Sequence, residues 1–460
     1  MKNSQTQDEI SKALEDFRSI LKGVYPHTEL DGLLLSFEKE YIQQSRISFK
    51  KLLRTFLFSC LYQQTTPMQG KKEMVYFWPF QFHHCDFMIP VIKILEKNNV
   101  SYRVLAFREN LIPYCATHKI KVDLIPRQRK ARGFSTALRY LISFTILLFK
   151  LIAQLKPIRW KRAALNSLIN IGAVEYTKQA AHAIALSESD QYHMIGFDLS
   201  LHGQALLEEF SALNIRTGRI QNGAANYLLS RYSKVDEIFF WDELSARPYK
   251  DSSWQGTAHI VGNLQLTQKV KAGPKASWQQ RIEHHPLSSN CIILVAFSGA
   301  GHKTTLENHL QSLDYLEQLV SQLKTILFIV KLHPKDKTSH YERFKTYSNV
   351  LLTFELAKAD QPDALDALMT AEILITGAST VALDALSLGK KVISIDPKRE
   401  LSQFQFLQSE GIYLWEDESR LTDVLEMIRT HTPSNDNLER LYTMDPCLQI
   451  AEIITQNHTM

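Results

Sequence analysis

Apolar residues follow two patterns along the chain, and together these patterns predict alternating strands and helices. Short apolar runs have the composition of buried strands, and the segments between them carry apolar residues at helical spacing. In the first half, strands are predicted at 73–80, 102–107, 193–197, 215–221, 237–241 and 258–263. Helices are predicted at 87–99 and 201–213. Because right-handed crossovers are strongly favoured, these strands are expected to lie parallel in one open sheet.

A second series of the same kind begins after a polar segment, 264–289, which contains two prolines and reads as an inter-domain connection with one short helix. Its strands are predicted at 291–299, 326–334, 350–354, 372–377 and 392–396. Its helices are predicted at 304–323, 362–371 and 380–389. The remaining carboxy-terminal residues read as helices that pack back across both halves.

The domain organisation predicted from these patterns is α/β throughout, with an added helical segment at the amino terminus. Residues 1–65 form a helical extension, with helices predicted at 9–21 and 48–64. The domains are two Rossmann-like units at 66–265 and 285–430, followed by terminal helices at 431–460. Two doubly wound sheets of this kind face each other across a central cleft, where ligands bind at the carboxyl ends of the strands.

Composition narrows the function class. The 460 residues are 45% hydrophobic and carry a formal net charge of +5, which gives no indication of a nucleic-acid partner. The five cysteines show no CxxC spacing, which indicates free thiols in a reducing compartment. The first residues lack the apolar core of a signal peptide, so a cytoplasmic location is expected.

A basic and apolar insert near 127–163 predicts contact with a membrane surface. Its apolar run, 140–155, is too short to span a bilayer and is interrupted by Lys150 and Gln154. Basic segments flank it on both sides, which is typical of an interfacial helix on a surface of anionic lipid. The alternative is a buried helix between two solvated basic loops.

Three loops of the second domain could bind an anion, and each follows a predicted strand. In the first loop, Ser298, Gly299, Ala300 and Gly301 precede a helix, so an anion could approach the backbone and the free N–H groups of the helix start. The spacing is not that of a P-loop, and a tight strand-to-helix turn is the alternative.

The second loop is "KLHPKD", in which a lysine and a histidine end a buried strand. Lys331 and His333 alternate with a leucine, so the strand period directs both to one side, and Pro334 ends the strand. A cation beside an imidazole can bind a phosphate that gains charge when its bond to a sugar breaks. The alternative is a histidine that is hydrogen-bonded to the backbone at a strand end.

The third loop begins at Thr376 and Gly377, where a strand ends. Ser379 and Thr380 open the next helix, where their hydroxyls can cap it or hold a phosphate. Asp384 lies one turn further on the same helical face, where a carboxylate could accept hydrogen bonds from a ribose. Capping alone also explains Ser379.

The second and third loops resemble motifs of a known family. An "LHP" after a buried strand, followed by "TGASTVALDALSLGKKVI", resembles the nucleotide-binding half of GT-B glycosyltransferases. It is most similar to bacterial capsule and lipopolysaccharide enzymes with a His-Pro motif and a Ser-Ser/Thr motif. These include polysialyltransferases, sialyltransferases and Kdo transferases, which use CMP-activated sugars. The resemblance covers roughly 290–400 and implies that His333, Ser379 and Thr380 contact the donor phosphate. Asp384 stands where many relatives have Glu.

The first domain should hold the acceptor and a carboxylate base. The family's acidic-acidic-Gly motif is not present in clean form, and Asp198, just after a predicted strand, is the favoured base, with helix capping as the alternative. Asn222 lies in a loop that resembles the family's "QHG", with Asn in place of His. The further acceptor-side candidates are His83, His84, Asn222, Asp242 and Glu243.

These observations together predict an inverting, metal-independent glycosyltransferase without a cofactor. It would move an acidic sugar, such as a sialic acid, another nonulosonate or Kdo, from a CMP donor to a surface glycan that can be lipid-linked. No metal is expected, because no convincing DxD loop exists and the histidine pairs lack ligand spacing. The alternatives are a UDP-sugar 2-epimerase, a CDP-glycerol glycerophosphotransferase and a non-enzymatic scaffold that binds nucleotide sugars.

Overall fold

The computed structural model describes most of both predicted domains. The described residues are 75–125, 191–223, 233–300, 304–334, 336–401, 404–431 and 441–456, together with 62–65, 128–131, 171–185 and single positions within 12–19, 142–153, 164 and 230. Most of the predicted extension at 1–65 and most of the insert near 127–163 lie outside the described residues.

Fifteen strands are described. In chain order they are β1 (Tyr62–Thr65), β2 (Val75–Trp78), β3 (Tyr102–Ala106), β4 (Val122–Leu124), β5 (Gln128–Ala131), β6 (Tyr192–Ile195), β7 (Arg216–Ile220), β8 (Glu237–Phe240), β9 (Thr257–Ile260), β10 (Ile292–Val295), β11 (Leu327–Val330), β12 (Val350–Leu352), β13 (Ile373–Thr376), β14 (Lys391–Ile395) and β15 (Ile412–Trp415).

The α-helices with described bounds follow the same numbering. They are α1 (Phe82–Lys97), α2 (Leu111–Thr117), α3 (Ile171–Ala185), α4 (Leu201–Ala212), α5 (Glu243–Lys250), α6 (Leu264–Ala272), α7 (Ala276–Glu283), α8 (Leu306–Gln322), α9 (Ala364–Thr370), α10 (Val381–Ser387), α11 (Leu421–Arg429) and α12 (Pro446–Gln456). A 3-10 helix, Thr338–Thr346, follows β11.

Thirteen of the fifteen described strands form two parallel sheets with doubly wound order, as the sequence predicts. The first sheet has seven strands in the order β4-β3-β2-β6-β7-β8-β9, and the second has six in the order β12-β11-β10-β13-β14-β15. Every neighbouring pair in both sheets is parallel. Each order reverses once, between β2 and β6 and between β10 and β13, and ligands bind beside such a reversal.

Both faces of each sheet are covered, which explains why the central strands are continuous apolar runs. In β2, Val75 and Phe77 pack with α1, whereas Tyr76 and Trp78 pack with α3 and α4. In the second sheet, alternate residues of β10 pack on opposite faces in the same way. One apolar cluster includes residues from both sheets and from α6, α7 and α12, so the two domains share a continuous core.

The segment that joins the domains differs from the prediction, because it contains two helices, α6 and α7, instead of one. Gly273, with φ of +74°, ends α6, and this left-handed conformation favours glycine. Trp278 of α7 is fully buried and its Nε1 donates to Thr370 Oγ1 at 3.2 Å. Polar composition was misleading here, because each helix buries only one face.

The end of the predicted amino-terminal extension also differs. Tyr62–Thr65 was expected within a helix, and 128–131 within a helical insert, but these segments form an antiparallel strand pair, β1 with β5. The two segments lie far apart in the sequence, so a local periodicity contains no information about their pairing. At the other end of the chain, α12 packs on α1 and α6.

Candidate functional site

The three predicted loops of the second domain lie side by side at the carboxyl end of its sheet. They follow β10, β11 and β13, and β10 pairs with both β11 and β13 in parallel register. The reversal of strand order falls between β10 and β13, which is where doubly wound sheets bind their ligands.

Glycine is required in the first loop by a close contact with the second. Gly299 is buried with φ of +75°, and a Cβ at this position would lie 2.9 Å from the Cβ of Asp336. Ser298 Oγ donates to the carbonyl of Ala378 at 3.3 Å, which ties the first loop to the third. Ala300 is half-buried, and Gly301 lies outside the described residues.

The second loop turns sharply after β11. His333 and Lys331 are both half-buried and Pro334 is exposed. The carbonyl of His333 accepts a hydrogen bond from the Asp336 N–H at 2.9 Å. Burial lowers the pKa of Lys331, with Asp363 opposing and Lys275 adding to the shift. Lys331 Nζ donates to the Leu332 carbonyl at 3.3 Å.

Asp336 holds the second loop in place, and sequence reasoning missed it. Its Oδ2 accepts from Tyr341 OH at 2.8 Å, and its Oδ1 accepts from the Lys337 N–H at 2.8 Å. Burial alone would raise the pKa of Asp336, but the groups that face it, His309 first among them, lower it to about 2. The carboxylate is therefore ionised at neutral pH, and it fixes the turn on which His333 lies.

The third loop contains both structural and available hydroxyls. Thr376 is fully buried and its Oγ1 donates to the Ala296 carbonyl at 2.6 Å, which joins the ends of β13 and β10. Among the described residues, Ser379 Oγ accepts a single long bond, 3.5 Å, from the Val381 N–H. Thr380 precedes α10 but its side chain makes no capping bond. Gly377 has ordinary space around it.

Asp384, predicted to face a ribose, instead reaches the segment that joins the domains. Asn263 Nδ2 donates to Asp384 Oδ1 at 2.6 Å, and the Oδ1 of Asn263 caps α6 by accepting from the N–H groups of Gln265 and Leu266. Burial and the charge of Asp242 raise the pKa of Asp384 to about 7, against the bond from Asn263. Sequence reasoning missed Asn263, although an Asn directly before a helix is a recognisable cap.

Loops of the first domain approach the same place from the other side. A Cβ at Gly223, after β7, would lie 3.9 Å from the Cγ2 of Thr380. Asn222 donates from Nδ2 to the Gly196 carbonyl at 3.0 Å, which connects the loops after β7 and β6. The two sheets therefore direct their carboxyl ends towards a common cleft, with Thr380 and Asp384 on one side.

His83 and His84 begin α1, at the strand reversal of the first sheet, but they differ in environment. His84 is buried, and its Nδ1 accepts from the Phe80 N–H at 3.0 Å. Burial, with the charges of His83 and Arg219, lowers the pKa of His84 to about 3. His83 is exposed, and its pKa is lowered mainly by partial burial.

Asp198 is fully buried just after β6, which argues against its predicted role as a base. Its carboxylate is fully buried, with one oxygen paired with Arg219 and the other accepting from Ser233 Oγ. Arg219 also donates to Tyr249 OH at 2.9 Å. A carboxylate with both oxygens engaged and no exposed surface cannot contact an acceptor hydroxyl, so Asp198 is a structural residue.

The two acidic residues after β8 have local partners. Asp242 Oδ1 accepts from the Ser245 N–H at 2.6 Å and thereby caps α5. Glu243 pairs with Lys250 at 2.7 Å, and its side chain is 68% exposed, so it is a surface residue. Of these two residues, Asp242 is the one whose charge reaches Asp384.

Comparison with known proteins identifies the fold. No family model matches the chain, and no curated protein matches its sequence. A protein from Listeria monocytogenes, assigned as a UDP-N-acetylglucosamine 2-epimerase, superposes with a TM-score of 0.53 at 12% identity, over 85% of this chain and 98% of that chain. S. aureus MnaA, in its structure with UDP, superposes with a TM-score of 0.52 at 11% identity, over 84% and 97% of the two chains.

Acinetobacter baumannii MurG is also similar, with a TM-score of 0.44 at 14% identity, over 84% of this chain and 100% of that chain. The first two similarities and the two doubly wound sheets establish a GT-B fold of two Rossmann-like domains. The predicted fold class is therefore confirmed.

We expect Asp198→Asn to lower the free energy of unfolding by about 3 to 5 kcal/mol, because it leaves Arg219 buried without its counter-charge. Denaturant unfolding measures the change. Glu243→Gln is the matched control, because it removes an exposed carboxylate from a surface pair and should change stability little. An Asp198→Asn protein as stable as the control would contradict the structural role.

The raised pKa of Asp384 predicts a pH-dependent stability difference between the wild type and Asp384→Asn. Between about pH 4 and pH 7 the carboxyl group of Asp384 is ionised in the unfolded chain but protonated in the folded chain. The free energy of unfolding of the wild type therefore falls as the pH rises through this range. The free energy of unfolding of the variant, relative to that of the wild type, should rise by about 1.4 kcal/mol per pH unit across this window and be constant above it. Unfolding curves at pH 5, 6, 7 and 8 measure it, and a constant difference would contradict it.

Proposed function

We propose that this protein is a nucleotide-sugar-dependent glycosyltransferase that binds its donor at the carboxyl end of the second sheet. The observation that carries the proposal is the convergence of three loops beside one strand reversal, opposite the loops of the first domain. Small residues let the backbone approach a phosphate there, and Lys331 and His333 supply cationic and hydrogen-bonding groups.

The donor proposed is a CMP-activated acidic sugar, and the acceptor is a surface glycan. The resemblance of "KLHPKD" and "TGASTVALDALSLG" to capsule and lipopolysaccharide enzymes supports both. In this proposal His333 and Ser379 hold the donor phosphate, and Thr380 lies between the phosphate and the first domain. Asp384 exchanges its bond with Asn263 for a donor hydroxyl when the donor binds.

His83 is the acceptor-side group proposed to take the proton of the acceptor hydroxyl, in place of Asp198. It is exposed at the start of α1, beside the strand reversal of the first sheet. Its lowered pKa favours the neutral imidazole, which is the form that accepts a proton.

A second candidate function is the epimerisation of a UDP-sugar. The two solved structures with TM-scores of 0.53 and 0.52 support it, because one is assigned as a UDP-N-acetylglucosamine 2-epimerase and the other was solved with UDP. Both candidate functions bind the nucleotide-sugar at the carboxyl end of the second sheet. They differ in the reaction that is catalysed and in the base of the nucleotide.

A cytoplasmic location at the inner membrane is part of the proposal, and an exposed apolar helical face supports it. Ile142, Ile146 and Phe149 are helical, and they are 51%, 45% and 70% exposed. Their spacing places them on one face, whereas Leu147 and Leu151 are buried. Basic sequence on both sides suits an anionic lipid surface. Among the described helices, none is long and apolar enough to cross a membrane.

The nucleotide is tested first by thermal shift with CMP, CDP, UMP, UDP, GDP and their sugar conjugates. We expect CMP or a CMP-sugar to raise the unfolding temperature of the wild type, because a ligand that binds only the folded state stabilises it. His333→Ala should lose this shift. His284→Ala is the matched control, because His284, directly after α7, is exposed and should leave the shift unchanged.

Transfer is then measured with the nucleotide-sugar that gives the shift and a glycan acceptor. The proposal predicts sugar transfer that falls at least a hundredfold in His333→Ala and in His83→Ala. A shift with UDP alone, with deuterium incorporated at C2 of a UDP-sugar in D2O, would establish the epimerase instead. No shift with any nucleotide would overturn both candidates.

We expect the protein to sediment with vesicles that contain anionic phospholipid and to remain in solution with zwitterionic vesicles. Replacing Ile142, Ile146 and Phe149 together by serine should abolish sedimentation, because the apolar contact is lost while the basic flanks remain. Ile112→Ser, which changes an exposed isoleucine of α2, is the control. Equal sedimentation of the triple variant and the wild type would contradict the membrane contact.

A further inference from the structure

Three potential metal ligands meet beside the second loop, although their sequence positions show no recognised metal motif. His309 lies in α8, Asp336 lies in the turn after β11, and His340 lies in the 3-10 helix that follows. Their candidate ligand atoms all lie within 4.8 Å of one another. Sequence reasoning considered DxD loops, CxxC spacing and adjacent histidine pairs, and none of these patterns contains this cluster.

Each imidazole nitrogen lies at about the ligand-to-ligand separation of a metal site from one oxygen of the carboxylate. His309 Nε2 lies 3.1 Å from Asp336 Oδ2, and His340 Nδ1 is hydrogen-bonded at 3.1 Å to the other carboxylate oxygen, Oδ1. Ligand atoms around a tetrahedral ion with bonds of about 2.0 to 2.1 Å are separated by about 3.3 Å. The side chains of His309 and Asp336 are each 1% exposed, and that of His340 is 16% exposed.

His309 provides an independent indication of a ligand. Its Nε2 is buried and makes no well-directed hydrogen bond to any residue that the structure describes, although Asp336 Oδ2 is only 3.1 Å away. The oxygen therefore lies away from the direction in which this nitrogen donates or accepts. A buried polar atom without a hydrogen bond is costly, whereas an ion between the nitrogen and the oxygen would satisfy both atoms.

The surroundings of Asp336 resemble the outer shell of a metal ligand. Tyr341 OH and the Lys337 N–H both donate to the carboxylate at 2.8 Å, and such bonds orient ligating carboxylates. The charge of the carboxylate is thus fixed at a defined place, and two imidazoles face it.

We propose that His309, Asp336 and His340 form a binding site for Zn²⁺ or a similar divalent transition metal. Two imidazoles and one carboxylate suit Zn²⁺, whereas Mg²⁺ and Ca²⁺ prefer oxygen ligands. With the carboxylate bound through one oxygen, the three ligands leave a fourth position for water.

The proposed metal site lies next to the loops that are proposed to bind the donor. Gly299 packs against Asp336, and His309 lines a cavity of about 20 Å³ together with Ser298, Gly299 and Gly377. The ion would fasten α8 to the turn that carries His333, and would so hold two of the three loops together. The site rests on its own ligands and does not depend on the proposed function.

Metal content and cobalt spectroscopy test this proposal. We expect the purified protein to contain about one equivalent of zinc by elemental analysis, which a chromogenic chelator detects when the protein is denatured. After removal of the metal, Co²⁺ should give the intense visible absorption of a four-coordinate site. Zn²⁺ should also raise the unfolding temperature of the metal-free protein.

His340→Gln should weaken Co²⁺ binding at least tenfold, and this partly exposed position lowers the risk of unfolding. His284→Gln, which changes an exposed histidine, should bind Co²⁺ as the wild type does. Wild-type protein without bound metal, without the cobalt spectrum and without stabilisation by Zn²⁺ would overturn the proposal. Equal Co²⁺ affinity in His340→Gln and the wild type would overturn it as well. Nucleotide binding is measured separately, so the failure of one proposal is distinguishable from the failure of the other.

Discussion

The arrangement of the two domains depends on one buried carboxylate, Asp366. Its side chain is fully buried; it pairs with Lys269 Nζ at 2.5 Å and accepts from the Lys275 N–H at 2.8 Å, while forming a capping box with Asp363. Lys269 and Lys275 belong to the connection, whereas Asp366 belongs to the second domain. These contacts fix the end of α6 and the start of α7, while Asn263, at the start of α6, contacts Asp384 of the same domain.

The acidic residues of the two domains have different surroundings. In the first, Asp198 and Arg219 form a pair inside the core, where removal of either partner leaves an uncompensated charge. In the second, hydrogen-bonding groups lower the pKa of Asp336 against its burial, whereas burial and the charge of Asp242 raise the pKa of Asp384. Buried acidic residues at strand ends therefore cannot be assigned to catalysis from sequence position alone.

Much of the fold could be predicted from sequence, because the central strands are buried on both faces and read as continuous apolar runs. Short or edge elements such as β4, β15 and α2 were missed, since three to seven residues contain too little periodicity. The pair of β1 with β5 was missed because each strand finds its partner far along the chain.

The same distinction applies to the site. Ser298, His333 and Ser379 could be singled out because each follows a recognisable strand end, and parallel strands bring such ends together. The contacts of Asn263 with Asp384, which are separated by 121 residues, and of His309 with Asp336 depend on tertiary packing. The burial of Asp198 has the same origin, because Arg219 and Ser233 reach it only in the folded sheet.

The packing of α12 on α1 has a consequence for any attempt to separate the domains. The chain leaves the first domain through α6 and returns to it with its last described helix, and Lys271 of α6 donates to the Met444 carbonyl at 2.8 Å. A cut in the connection therefore does not yield two independent fragments, since the first would expose the surface of α1 that α12 covers. Fragment complementation, with the carboxy-terminal helix supplied in trans, follows as the natural way to dissect this fold.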